Sequence, residues 1–248
     1  LISRLVKKGA SVIAFDVIFD DPQSIENDTL FAEAIRDAGN VILCEYIKKQ
    51  FVSFADKTRA HIERLVPPIE PFAQSAAALA PFPLPKVPVR VSQIWTFKKS
   101  AGDAATLPVV AFQLFALDSY TEFVHLLKKV NPALVAELPS DKEAVFSGKK
   151  LYPFIQHLKN SFRQDPLIAE KMLKEVQNSK KLSSDKKGRE ILKSLLRMYQ
   201  RPDSRYLNFY GPPGTITTIP YHVVLDSQDD SIDSKKQIDF NNKAVFVG

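Results

Sequence analysis

"VIAFDVIFDDP", residues 12–22, is the stretch on which the fold turns. Seven of its first eight residues are apolar, the pattern of a strand over about 11–19 covered on both faces, as in a parallel sheet packed between helices. Asp16 interrupts it. A carboxylate inside such a strand must be hydrogen-bonded, paired or protonated. One reading is internal bonding, from backbone N–H groups or from Asn208 and Tyr210. A second is contact with a ligand, because the carboxyl ends of parallel strands line the usual crevice, where Asp20, Asp21 and Asp28 could gather with it. A third is a hard cation, but the D-x-[DN]-x-[DN]-G order is missing and no metal site is predicted.

Outward from this strand, residues 1–8 read as a helix with Leu1, Ile2, Leu5 and Val6 on one face and Gly9 as its stop. On the other side, Asn27 or Asp28 caps a helix that runs to Ala38, with Leu30, Phe31, Ala34, Ile35 and Ala38 inward and Gly39 ending it. The apolar "VILCEYI" follows. Helix, strand, helix, strand predicts a βαβ layout and a parallel sheet. The proline-rich stretch 66–88 reads as a loop with one short helix near 72–80. "PVRVSQIWTF" alternates like a strand with one exposed face, which puts Trp95 in the core and Arg90 on the opposite side. Pro108 opens an apolar helix.

Residues 118–202 read as a helical insertion. Its stripes are Phe123–Leu126–Leu127–Val130, Ile155–Leu158–Phe162, Leu167–Met172–Leu173–Val176 and Ile191–Leu192–Leu195–Leu196, the last helix capped by Ser184. The chain then returns to β structure through "RYLNFYG", "YHVVL" and "KAVFVG". The expected architecture is α/β: a mixed, parallel-rich sheet flanked by helices, forming one domain over 1–248 with the helical insertion inside it.

The composition is 45% apolar and 25% charged, that of a globular chain able to bury a core. No apolar run approaches the roughly 20 residues that cross a bilayer. One cysteine, Cys44, excludes an internal disulfide. The basic excess is local: residues 121–205 hold 18 Lys+Arg against 10 Asp+Glu, and the rest of the chain holds 16 against 18. Those lysines alternate with glutamates at helical spacing, as on a solvated face, and few aromatics are interleaved for base stacking. Nucleic acid is therefore not an expected partner; contact with an acidic membrane surface fits the segment better than nucleic acid does.

Catalytic motifs are missing. "GPPGT" at 211–215 lacks the lysine of a phosphate loop and reads as a tight turn. The four histidines lie on separate segments without H-E-x-x-H spacing, and no G-x-S-x-G elbow occurs.

"LISRLVKKGASVIAFDVIFDDP", "NDTLFAEAIRDAGNVIL", "LPVVAFQLFAL", "YLNFYGPPGTITTIPYHVVL" and "NKAVFVG", in that order, resemble the CHASE2 sensory domain. The resemblance covers both ends and the 106–117 helix; the long Lys-rich segment between Ala116 and Tyr206 departs from it. It implies an extracytoplasmic, periplasm-facing sensor without catalysis of its own, in a bacterial membrane receptor. Transmembrane helices would flank it, and the output would be a nucleotide cyclase, a histidine kinase or a Ser/Thr kinase. The start without Met fits a piece of such a receptor.

The candidate ligand-binding residues are Asp16, Asp28, Arg90, Asn208, Tyr210 and Gly211. No catalytic residue and no cofactor is assigned. The expected partner is an unidentified small-molecule or protein stimulus, with a homodimer through the insertion as a further possibility. The alternative function is an extracytoplasmic metal-dependent hydrolase using an Asp16–Asp28 cleft.

Overall fold

The computed structural model describes all residues except 54–58, 86–90, 147–149, 180–181, 183, 208–210, 213 and 227–237, together with the side chains of 59–61 and 226. A short helix α1 (Ile2–Lys7) leads through Gly9 into strand β1 (Val12–Phe15). Helix α2 (Ile25–Ala38) returns the chain to β2 (Val41–Ser53). Then come β3 (Arg59–Val66), α3 (Glu70–Ser75) and β4 (Ala78–Pro81). The last strand is β9 (Ala244–Val247).

β4, β2, β1 and β9 lie side by side, all parallel, with Ile13 level with Val41 on one flank and Val245 on the other. Beyond Glu45, β2 runs on past the parallel strands and pairs antiparallel with β3, from Tyr46↔Val66 to Ser53↔Arg59. The sheet is thus mixed and mostly parallel, as the sequence predicted.

The alternation along β1 divides the core. Ile13 and Phe15, with Val41 and Leu43, face α1, α2 and α3. Val12 and Ala14, with Ile42, Ala78 and Ala80, face the other way, toward helix α4 (Leu107–Phe115). Both faces are covered, which is why the strand reads apolar without a break. α4 is buried nearly all round, because the sheet lies on one side of it and a layer of helices on the other. That layer comprises α5 (Tyr120–Val130), α6 (Pro132–Ala136), α7 (Lys142–Phe146), α8 (Leu151–Gln164), α9 (Leu167–Asn178) and α10 (Lys186–Gln200). The stripes read from the sequence on α5, α8, α9 and α10 supply most of its apolar contacts. Two small ribbons link the layers: β5 (Gln93–Trp95) pairs with β8 (Ser204–Tyr206), and β6 (Phe97–Lys98) with β7 (Ala104–Ala105).

Several local expectations are corrected. β1 stops at Phe15, so Asp16 is not inside a strand; it follows the last paired residue and is exposed. The cap of α2 is Ser24, whose hydroxyl accepts from the Asn27 N–H at 3.2 Å, one turn earlier than Asn27 or Asp28. Leu30 faces water. The 72–80 helix is α3 followed by β4: the small residues 76–80 continue as a strand because β2 offers an unpaired edge there, and pairing overrides the helical bias of alanine. Asp185, not Ser184, caps α10, accepting from the Gly188 N–H at 2.9 Å. "YHVVL" is helical, in α11 (Tyr221–Asp226), which packs against α1.

Candidate functional site

Two places concentrate polar groups against apolar walls. The first is the carboxyl edge of the parallel sheet. The Asp16 N–H donates to the Val247 carbonyl at 2.7 Å, and a Cβ built on Gly248 would lie 3.5 Å from that of Asp16. One strand across, Cys44 is buried. Burial, together with the negative charges of Asp16 and Glu45, pushes its thiol up to about 11, against a smaller opposing effect of the Phe82 backbone hydrogen bond. The carboxyls of Asp16 and Glu45 are themselves raised by partial desolvation at this edge.

The sequence-predicted residues do not converge there as a set. Asp28 lies in the first turn of α2, where its carboxylate accepts from the Gln23 N–H at 3.0 Å, a local role beside the cap. Gly211 is in a turn, and a Cβ on it would stand 2.5 Å from the Thr215 hydroxyl oxygen, so the turn itself asks for glycine. Arg90, Asn208 and Tyr210 lie outside the described residues. Among the described residues no group of three or more His, Cys, Asp and Glu side chains is placed to hold a metal, and the hydrolase reading finds no geometric support.

The second place was not read from the sequence. It is a groove of about 740 Å3 between the helical layer and the two ribbons. Its floor is aromatic. Phe162 on α8 and Tyr199 on α10 stack at 5.5 Å between centroids, and Phe97 on β6 continues the row 6.2 Å from Tyr199. Trp95 on β5 adds a half-buried ring, where the sequence had put it in the core. The Tyr199 hydroxyl points away from the groove and donates to Gln113 Oε1 at 2.7 Å, which satisfies two buried polar groups inside the core.

Cations surround this floor. Lys159 Nζ lies 3.9 Å from the Phe97 ring centroid, and Lys98 Nζ lies 3.9 Å from that of Trp95. The Lys159 side chain is only 2% exposed, although its charge is unfavourable in a dry setting. Asp103 offsets this, with Oδ1 at 3.1 Å and its carbonyl at 3.3 Å. Arg163, one turn on, spreads its guanidinium between Asp103 Oδ2 at 2.8 Å and Asp203 Oδ2 at 2.5 Å. Lys99 reaches the same Asp203 oxygen at 3.7 Å. Asp103 is presented by a left-handed pair, Gly102 at φ 72° and Asp103 at φ 63°, a tight turn between the 3-10 turn Lys99–Ala101 and β7.

The electrostatics follow. Burial lowers the Lys159 pKa, and the neighbouring Arg163 charge adds to that, while Asp103 and Asp203 oppose it. Burial pushes the Asp103 carboxyl up, but hydrogen bonds and charges from Lys159 and Arg163 together win, and it falls below the usual carboxylate range. The cue available in the sequence was Lys159 itself: it stands at i+4 from Ile155 and i−3 from Phe162, on the apolar stripe of α8. α8 also donates from Gln156 Nε2 to the Asp103 carbonyl at 3.1 Å and packs against both β4 and β7.

A mostly parallel α/β sheet whose first and last strands are neighbours carries beside it a cation-lined groove over an apolar base, a surface able to take a ligand. The model of the CHASE2 domain matches residues 1–248, and the chain belongs to the CHASE2 family, an extracytoplasmic sensory domain family of signalling receptors. No curated protein and no solved structure matches it.

Proposed function

We propose that this chain is the periplasm-facing sensor of a membrane receptor, one domain with the 118–202 helices inserted into it. Its movements would be passed through flanking transmembrane helices to a nucleotide cyclase, a histidine kinase or a Ser/Thr kinase. The observation that supports this reading is the joining of the two ends of the chain. β1 and β9 are hydrogen-bonded in register from Val12↔Ala244 to Phe15↔Val247. The Asn242 N–H donates to the Gly9 carbonyl at 2.9 Å, and Arg4 Nη1 donates to the Val224 carbonyl at 3.1 Å. Both ends therefore meet in one packed unit, and binding that shifts one end against the other would reach both flanking helices, the two-state bias a sensor requires.

The test is a cross-link in the intact receptor. Ser11 Oγ and Asn242 Oδ1 stand 3.5 Å apart. A Ser11→Cys/Asn242→Cys pair, oxidised in membranes, is expected to shift basal cyclase or kinase output by at least twofold and to reverse on reduction. Output unchanged by a fully formed cross-link would overturn the reading.

A further inference from the structure

We propose that the groove between α8, α10 and the β5–β8 ribbon binds a small organic anion, a carboxylate carried on a flat aromatic body, and that Asp203 competes with that carboxylate for Arg163. This deepens the sensory reading and rests on it.

Three observations converge. The first is charge. Lys98, Lys99, Lys159, Arg163 and Arg201 line the groove, against Asp203 in the lining and Asp103 and Glu63 behind it. Lys98 is held by Glu63 at 3.2 Å, with both side chains largely buried. Lys159 is held by Asp103. Arg201, exposed at the rim, has no carboxylate within salt-bridge distance among the described residues. The lining thus carries a cationic excess facing open space.

The second is the division of Arg163. One arm of its fork is fixed by Asp103, the other by Asp203. Asp203 also takes the reach of Lys99, whose side chain is 75% exposed. An arginine and an exposed lysine meeting one carboxylate at a groove form an arrangement that can receive an external carboxylate. Asp203 is not fixed by these contacts alone: its carbonyl accepts from the Thr96 N–H at 2.7 Å and from the Thr96 hydroxyl at 3.1 Å. Those two bonds hold its backbone in register independently of its carboxylate.

The third is the floor. Trp95 is the half-buried ring of the lining, and Phe97, Phe162 and Tyr199, each at most 5% exposed, pack behind it, so the base is apolar and favours an apolar body over a bare inorganic anion. The volume of about 740 Å3 falls in the range of small-molecule sites. A ligand here bridges the helical layer to β8, which leads into the 208–220 segment.

Trp95 is the single tryptophan of the chain and lies in the groove, so 5-fluorotryptophan gives one 19F resonance that reports the site. The 248-residue chain is titrated with phenylacetate, biphenyl-4-acetate, the neutral phenylacetamide, and inorganic phosphate. Saturable shifts are expected for at least one of the two acids, with phenylacetamide and phosphate at least tenfold weaker. Arg163→Gln and, independently, Arg201→Gln should weaken that acid about tenfold and threefold. Asp203→Asn should tighten it severalfold, because its carboxylate no longer competes. If Arg163→Gln fails to fold, Arg201→Gln and Asp203→Asn carry the test. The proposal is overturned if neither acid saturates below 50 mM, if the amide binds as well as the acid, if phosphate does, or if only anionic phosphatidylglycerol vesicles move the resonance. Each of these outcomes leaves the receptor cross-link result, and so the sensory reading, standing.

Discussion

Lys159 and Asp103 form a half-hidden ion pair: the ammonium of one, 2% exposed, lies 3.1 Å from the carboxylate of the other, whose side chain is 37% open to water. The pair ties α8 to the turn before β7 and sets the position of Arg163. Removing Asp103 alone leaves the Lys159 ammonium without compensation in a dry place, whereas removing both leaves neither charge.

Asp103→Asn is therefore expected to cost about 2–3 kcal/mol in urea unfolding, less than the roughly 3–5 kcal/mol of a fully buried broken pair because Asp103 keeps contact with solvent. Lys159→Met, which keeps the stem packed on Phe97, should cost less than about 1 kcal/mol. The double variant should recover most of the loss. A double variant as unstable as Asp103→Asn alone would show that the pair is not coupled.

Acid acts through the same carboxylate. The folded-state pKa of Asp103 lies below its unfolded value, so its contribution is present above about pH 4 and is lost as pH falls through the folded pKa. Asp16 and Glu45 are raised and act with the opposite sign, gaining stability as pH falls through their folded values. The difference in melting temperature between the parent chain and Asp103→Asn isolates Asp103. It should be constant from pH 6 to 8 and shrink toward zero as pH falls through the depressed folded-state value.

Cys44 is buried at the sheet edge, with a thiol pKa of about 11. Only a small thiolate fraction exists at pH 8, and reagents cannot reach it. Iodoacetamide at pH 8 should leave the folded chain unmodified for hours and alkylate it within minutes in 6 M guanidinium, as read by intact mass. Rapid labelling of the native chain would contradict the packing of β2 against β4.

Gly9 and Gly39 offer a matched comparison. Both have positive φ, at 85° and 67°. Alanine in that region costs about 1–2 kcal/mol. At Gly39 a Cβ meets nothing within 4 Å, but at Gly9 it would stand 2.8 Å from Asn241 Oδ1 and 3.1 Å from Asn241 Cα. Gly9→Ala should thus be more destabilising than Gly39→Ala, by at least about 1 kcal/mol. Equal costs would mean that the two ends of the chain do not press together at this point.

The sequence by itself determined strands β1, β2 and β9 of the parallel sheet and most of the helices around it. Period-two and period-3.6 apolar patterns are local, and so are the glycine stop at Gly39 and the unbroken run Val12–Phe15; they reveal which residues seek a core without any knowledge of neighbours. The family motifs lie in those same segments. Tertiary structure decided the rest. Whether Ala78–Pro81 became helix or strand depended on the free edge of β2, and whether Asp16 was buried depended on where β1 stopped pairing. The groove depended on Asp103, Lys159, Arg163 and Asp203, residues up to 100 positions apart, meeting across three elements. Charge pairing of that kind acts at a few ångströms in space and leaves no period in the chain, so only the folded arrangement could display it.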